Sequence, residues 1–264
     1  MRTLRIFALL ICVSIFNTAT AQKEIALSSP DSAILYFFKL SDSTPNYRVV
    51  YKKKSLIKYS SLNLAFMEGG DFGVNTRTLK PVYKPIKVDT GIDLKTHRAQ
   101  KDHYNEVLIS IVERGTFQRK VNLRVRAYNE GIAFRFEYPS DQAWSNLDLT
   151  EEIVHFRFAG TPQLSTTNTP VSFDMSAGVD QLQSISIPDR NAFVILKESK
   201  HQTQSHLVVK SVSSSSLIGT LPELPGQGGV KMRHNLPFNG PWRIIAIGSN
   251  AQSLPSSNLL VELQ

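Results

Sequence analysis

Apolar and polar residues alternate with period two through much of the chain. The alternation is clear at residues 33–40, 47–51, 107–113, 121–128, 132–138, 153–158, 193–196, 207–212 and 242–247. Successive side chains on a strand point to opposite faces, so this pattern predicts strands with one face buried. Turn-forming stretches stand between them: SDSTPN, ERGT, NEG, SAG, PELPGQGG and LPFNG. Many short strands separated by Gly, Pro, Asn and Ser point to an all-β sandwich or barrel. No long segment carries a helical period. The stretches 161–178 and 221–229 read as loops on one sheet assembly, because alternation resumes after each. Residues 213–216, four serines, read as a turn.

One stretch predicts its own register. RVRAYNEGIAFRFEY, residues 124–138, reads as two strands folded back on each other. Val121, Leu123, Val125 and Ala127 share one face, and Asn122, Arg124, Arg126 and Tyr128 the other. On the second strand Ile132, Phe134, Phe136 and Tyr138 oppose Ala133, Arg135 and Glu137. Joining the apolar faces requires Val125 to pair with Phe134 and Arg124 with Arg135. A loop spanning residues 128–131 allows that register, with Gly131 at positive φ. A three-residue loop would set Arg126 beside Phe134. Like charges directly opposite cost some tenths to ~1 kcal/mol, so a carboxylate is expected near Arg124 and Arg135. Glu137 is the local candidate; another sheet or domain could supply one. The arginine face is therefore either a solvated charge lattice or a docking face.

The first residues stand apart. A basic start at Arg2 and Arg5, an apolar run from residue 6 to 16 and the small-x-small end Ala19-Thr20-Ala21 predict a secretory signal peptide over residues 1–21. The apolar run is short for a membrane span. The expected mature chain, residues 22–264, is then secreted or periplasmic. The single cysteine, Cys12, lies in the leader, so the mature chain has no thiolate, disulfide or cysteine nucleophile. Its stability must come from its core, and about 240 residues suffice for one large all-β domain.

Losing Arg2 and Arg5 leaves 28 basic and 22 acidic side chains, a net charge of +6. Only Lys52-Lys53-Lys54 forms a basic run, and it reads as a solvated turn or edge guard. The spread of charge and the leader argue against nucleic acid. Catalytic constellations are missing. Glu151 and Glu152 are neighbours on a strand and point to opposite faces, so they are no acid/base pair. The histidines follow no metal-ligand spacing. No serine sits in a nucleophile elbow, and GQGG lacks the lysine and helix of a phosphate loop. No catalytic residue is assigned. Trp242, inside an apolar strand, reads as core. Trp144, in the loop SDQAWSN, is the better candidate for stacking on a sugar ring.

RAYNEGIAFRFE resembles the RaYdDGvAFRYe motif of the N-terminal domain of glycoside hydrolase family 97. Other marks agree in order: Tyr104-Asn105-Glu106 with the family's ynEl, Thr150-Glu151-Glu152 and Phe156 with its iteEet.F, residues 240–245 with its tPWRvi strand, and SSNLLVEL with its closing segment. The similarity covers nearly all of the mature chain, and the hairpin and the PWR strand are its most specific parts.

The resemblance implies a β-supersandwich similar to galactose-mutarotase-like domains, packed on a (β/α)8 barrel that hydrolyses α-glycosidic bonds in an oligosaccharide. Its partner would be such a barrel, as domain or subunit, and Arg124, Arg126 and Arg135 would form the docking face. The family's N-terminal domain also lends one glutamate to a calcium site, and the matching position is Glu198 in AFVILKES. Calcium takes about six to eight oxygens, so the other ligands would come from the barrel. Alone, Glu198 is expected as an exposed strand-end carboxylate. The family's aspartate-tyrosine pair after this glutamate is absent from KHQTQS at 200–205, and its upstream pattern is reduced to Phe173-Asp174. A stand-alone carbohydrate-binding module and a non-catalytic remnant are the alternative readings.

Overall fold

The computed structural model describes residues 24–41, 44–92, 99–140, 144–163, 171–172, 184–199, 205–251, 254, 257, 259–260 and 263. The expected leader, Phe173-Asp174 and 200–204 lie outside them. The strands are β1 (Ile25–Ser28), β2 (Ile34–Ser41), β3 (Thr44–Tyr51), β4 (Lys54–Phe66), β5 (Gly70–Phe72), β6 (Thr76–Thr78), β7 (Val82–Ile92), β8 (Ala99–Glu113), β9 (Lys120–Tyr128) and β10 (Gly131–Tyr138). They continue as β11 (Asn146–Arg157), β12 (Val171–Ser172), β13 (Ser184–Ile187), β14 (Ala192–Glu198), β15 (Val208–Ser213), β16 (Ser216–Thr220), β17 (Met232–Asn235), β18 (Phe238–Asn239) and β19 (Arg243–Gly248). No long helix occurs among the described residues.

The strands form two antiparallel sheets. The ten-stranded sheet runs β1-β2-β3-β4-β11-β16-β15-β12, with β5 beside β4 and β17 beside β11. The nine-stranded sheet runs β13-β14-β19-β10-β9-β8-β6, with β7 beside β8 and β18 beside β10. Their inner faces share one apolar core. Tyr36 stacks on Tyr47, and Tyr47 packs against Phe134 of the opposite sheet with ring centroids 5.6 Å apart. The all-β sandwich expected from the alternation is the fold observed.

The predicted hairpin register holds: Phe134 pairs with Val125 and Arg135 with Arg124. Tyr128 and Gly131 already pair, so only Asn129 and Glu130 lie between the strands. Gly131 has φ 151°. Lys52 and Lys53, both at positive φ, make the tight turn between β3 and β4, as the solvated-turn reading expects. Ser213 pairs with Ser216 across the β15–β16 turn, and 221–229 is a loop. Strand β4 went unread because its alternation breaks. Leu56 and Ile57 are both buried, and the β3–β4 register shifts beside them.

A second apolar cluster lies on the outer face of the nine-stranded sheet. Tyr104, Tyr128, Ala133, Ile195, Trp242, Ile244 and Ala246 supply its sheet side. Leu254, Leu259, Leu260 and Leu263 from the end of the chain cover it. Lys197 Nζ donates to the Leu260 carbonyl at 3.0 Å, tying this segment down. Strand β19 is thus buried on both faces, which explains its apolar sequence.

Candidate functional site

The arginine face forms beside that covered patch. Arg124, Arg126 and Arg135 project outward from β9 and β10 because Val125, Phe134 and their neighbours fill the core. Glu137 accepts from Arg124 Nε at 2.6 Å and from Arg135 Nη2 at 2.6 Å. Glu106, on β8, accepts from Arg124 Nη1 at 2.5 Å and from Arg126 Nε at 3.0 Å. The repulsion set up by the Arg124–Arg135 register is thereby offset by two carboxylates. Glu106 takes this role because it pairs opposite Arg126 on the neighbouring strand.

Trp242 lies between two of these arginines. The Arg126 and Arg135 guanidinium carbons each stand 4.6 Å from its ring centroid, and Arg126 is 4.5 Å from the Tyr104 ring. Such cation–π contacts are worth roughly 0.5–2 kcal/mol each. Trp242 is buried, as expected, but on the outer face rather than between the sheets. The result is a half-buried polar plate, three guanidiniums and two carboxylates around an aromatic ring, fixed on strands rather than loops.

Burial pushes the Glu137 carboxyl up, but the hydrogen bonds and charges of Arg124 and Arg135 outweigh it and hold the pKa below the ordinary carboxylate range. A depressed folded pKa stabilises the fold above the unfolded value, and the benefit disappears as pH falls through the folded one. Glu137→Gln should therefore cost roughly 1–3 kcal/mol at neutral pH. That cost should shrink as urea denaturation is repeated from pH 7 down to pH 3. A cost independent of pH would contradict the lattice.

Glu198 is not the exposed strand-end carboxylate expected: it is 1% exposed. The cause lies in the pairing of Glu198 with Arg243 across β14 and β19. Arg243 points into the sandwich and donates Nη1 to Glu198. Its Nη2 donates to Glu152, of the opposite sheet, at 2.6 Å. Burial works against the guanidinium charge, and Glu152 and Glu198 more than restore it. Glu198 also accepts from the Leu207 backbone N–H at 3.0 Å and stands 3.1 Å from His206 Nδ1. Glu151 faces outward to Lys231, so the adjacent glutamates do point apart.

This surrounding does not fit a calcium ion. One Glu198 oxygen accepts from both Arg243 and the Leu207 N–H, His206 Nδ1 stands against the other, and no cluster of three metal-ligating side chains occurs among the described residues. Trp144 is half-buried, edge-on to Phe66 and Tyr138, with centroids 5.4 and 6.3 Å away. It borders a cleft whose lining includes none of the arginine-plate residues.

Two antiparallel sheets with a charged plate on one outer face define the chain as a β-sandwich module. The profile described as Glycosyl-hydrolase 97 N-terminal matches residues 27–264, and the chain belongs to that family. A retaining alpha-galactosidase of Bacteroides thetaiotaomicron is 23% identical over 95% of this chain and 42% of its own length. The chain thus spans under half of that curated relative. Among solved structures, a glycoside hydrolase family 97 enzyme of Pseudoalteromonas sp. strain K8 superposes with TM-score 0.76 at 20% identity, over 91% of this chain and 38% of that one. A beta-arabinopyranosidase superposes with TM-score 0.64 at 19% identity, over 86% and 40%. At these identities the superpositions speak for the fold.

Proposed function

We propose that this domain is the non-catalytic, docking part of a family-97 α-glycosidase, exported to the periplasm or the exterior, and that it rests on the (β/α)8 barrel through its arginine plate. The observation that carries this reading is the plate itself. Five charged side chains are held in a fixed hydrogen-bonded lattice on a sheet face, next to where the final leucines of the chain pack. A prearranged polar plate can be covered with little further side-chain ordering, which is one of the costs of association. The relatives' greater length supports a barrel as the covering partner.

Calcium has no part in this reading, since the Glu198 carboxylate faces the Arg243 guanidinium. In this reading the described residues orient and cover, and none of them serves as acid or base. The purified chain should accordingly give no turnover of aryl α-glucosides or aryl α-galactosides. Turnover that survives repurification and exceeds a heat-killed control would refute the non-catalytic reading. Mixed with a family-97 barrel, the chain should co-elute from a sizing column at one-to-one stoichiometry.

A further inference from the structure

A cleft lies outside the arginine plate, sharing none of its residues. It encloses about 210 Å³ and is lined by Phe66, Glu68, Phe117, Arg119, Trp144, Ser145, Asn146 and Asp148. Phe66 and Arg119 form its buried part, the guanidinium carbon standing 4.6 Å from the Phe66 ring. Phe117, 46% exposed, and Trp144 supply aromatic surface. Arg119 is 3% exposed and locked in place. It donates twice to Glu113, at 2.7 and 2.6 Å, and to the carbonyls of Glu68 and Gly69 at 2.6 and 3.5 Å. A guanidinium has five N–H groups, so these four bonds leave one N–H on Nη1.

We infer that this cleft is a subsite for one ring of a neutral saccharide. The argument rests on the chemistry of the lining and is independent of the docking proposal. Glu68 and the Asp148 oxygen not bonded to Arg233 are acceptors, while Asn146, whose Nδ2 also donates to Ser145 Oγ at 3.3 Å, and the remaining Arg119 N–H are donors. That mixture suits the hydroxyls of a sugar, each both donor and acceptor. The aromatic surface suits the apolar C–H face of the ring. An anion would meet the two carboxylates, and the Arg119 charge is already neutralised by Glu113. A cation would have to compete with Arg233, which holds Asp148. The volume lies below the ~300–1,000 Å³ of pockets for drug-sized ligands, which limits the occupant to about one ring.

The chain has two tryptophans, Trp144 and Trp242, so their indole N–H resonances report on the cleft and the plate separately. The intact chain is titrated with maltotriose, with melibiose and, as an acyclic control, with sorbitol, and Trp144→Phe assigns the two signals. The Trp144 signal should move saturably with at least one sugar, with Kd of about 1 mM, while the Trp242 signal and the sorbitol titration stay flat. Phe117→Ala, at an exposed position, and Asp148→Asn should each weaken binding at least about fivefold. The unchanged dispersion of the remaining spectrum would show that both variants are folded. Flat titrations to ~50 mM, well above that Kd, movement of both indoles alike, or binding untouched by both substitutions would overturn the subsite.

Discussion

Replacing Arg243 by methionine should lower the unfolding free energy by roughly 3–5 kcal/mol, the cost of stranding a buried charge. In the native protein one guanidinium serves Glu152 and Glu198 from inside the sandwich, each carboxylate less than 5% exposed. Methionine fills most of the space and removes the cation that, among the described residues, bonds both carboxylates. Two carboxylates are then left in an apolar surrounding, and at least one must take up a proton or drag in water. Adding Glu152→Gln and Glu198→Gln to the variant should return part of the loss, because neutral amides are cheaper to bury than charges. Guanidinium denaturation of the three proteins decides the matter. A loss under 1 kcal/mol for Arg243→Met would mean that the charge cluster is solvated.

Gly131→Val should cost about 2–6 kcal/mol, the sum of a strained backbone, ~1–3, and overpacking, ~1–3. The hairpin turn holds Gly131 at φ 151°, where a β-branched residue is an outlier. There is also no room. A Cβ there would stand 2.3 Å from the Ile245 carbonyl oxygen and 2.7 Å from a Leu259 methyl. Strand β19 and the final leucines close over this glycine, so relief would require parting β10 from β19. Gly131→Ala should show most of the effect, because the first carbon makes the clash. An unchanged denaturation midpoint for both variants would contradict the close approach.

The two sites differ in how far the sequence revealed them, and the difference is physical. The hairpin register was legible because one face must be buried and the side-chain period is two, so a single shift would expose Val125 and Phe134. The need for a carboxylate beside Arg124 followed from that register. Glu137 lies two residues from Arg135 and could be named; Glu106 comes from a neighbouring strand and needed the β8–β9 pairing. The Glu152–Arg243–Glu198 cluster was not legible. Its members are brought together by strand pairing and by packing of one sheet on the other, across 45 and 91 residues of sequence. A glutamate at a strand end looks exposed until the arginine opposite it is known to point inward. Trp242 reads as core from its apolar strand and is buried, but nothing local said that the end of the chain returns to cover it on the outer face. Strand β4 was lost to a bulge.

The docking claim is tested most directly by calorimetric titration of the chain into the isolated catalytic portion of the Bacteroides thetaiotaomicron retaining alpha-galactosidase. The account predicts a saturable one-to-one complex. The Arg126→Gln, Arg135→Gln double variant should weaken it tenfold or more, since truncating buried charge partners at an interface costs about 2–5 kcal/mol. The Asp148→Asn variant, altered at the cleft, should bind as the wild type does. Absence of binding, or equal affinity for wild type and double variant, would contradict the arginine plate as the docking face.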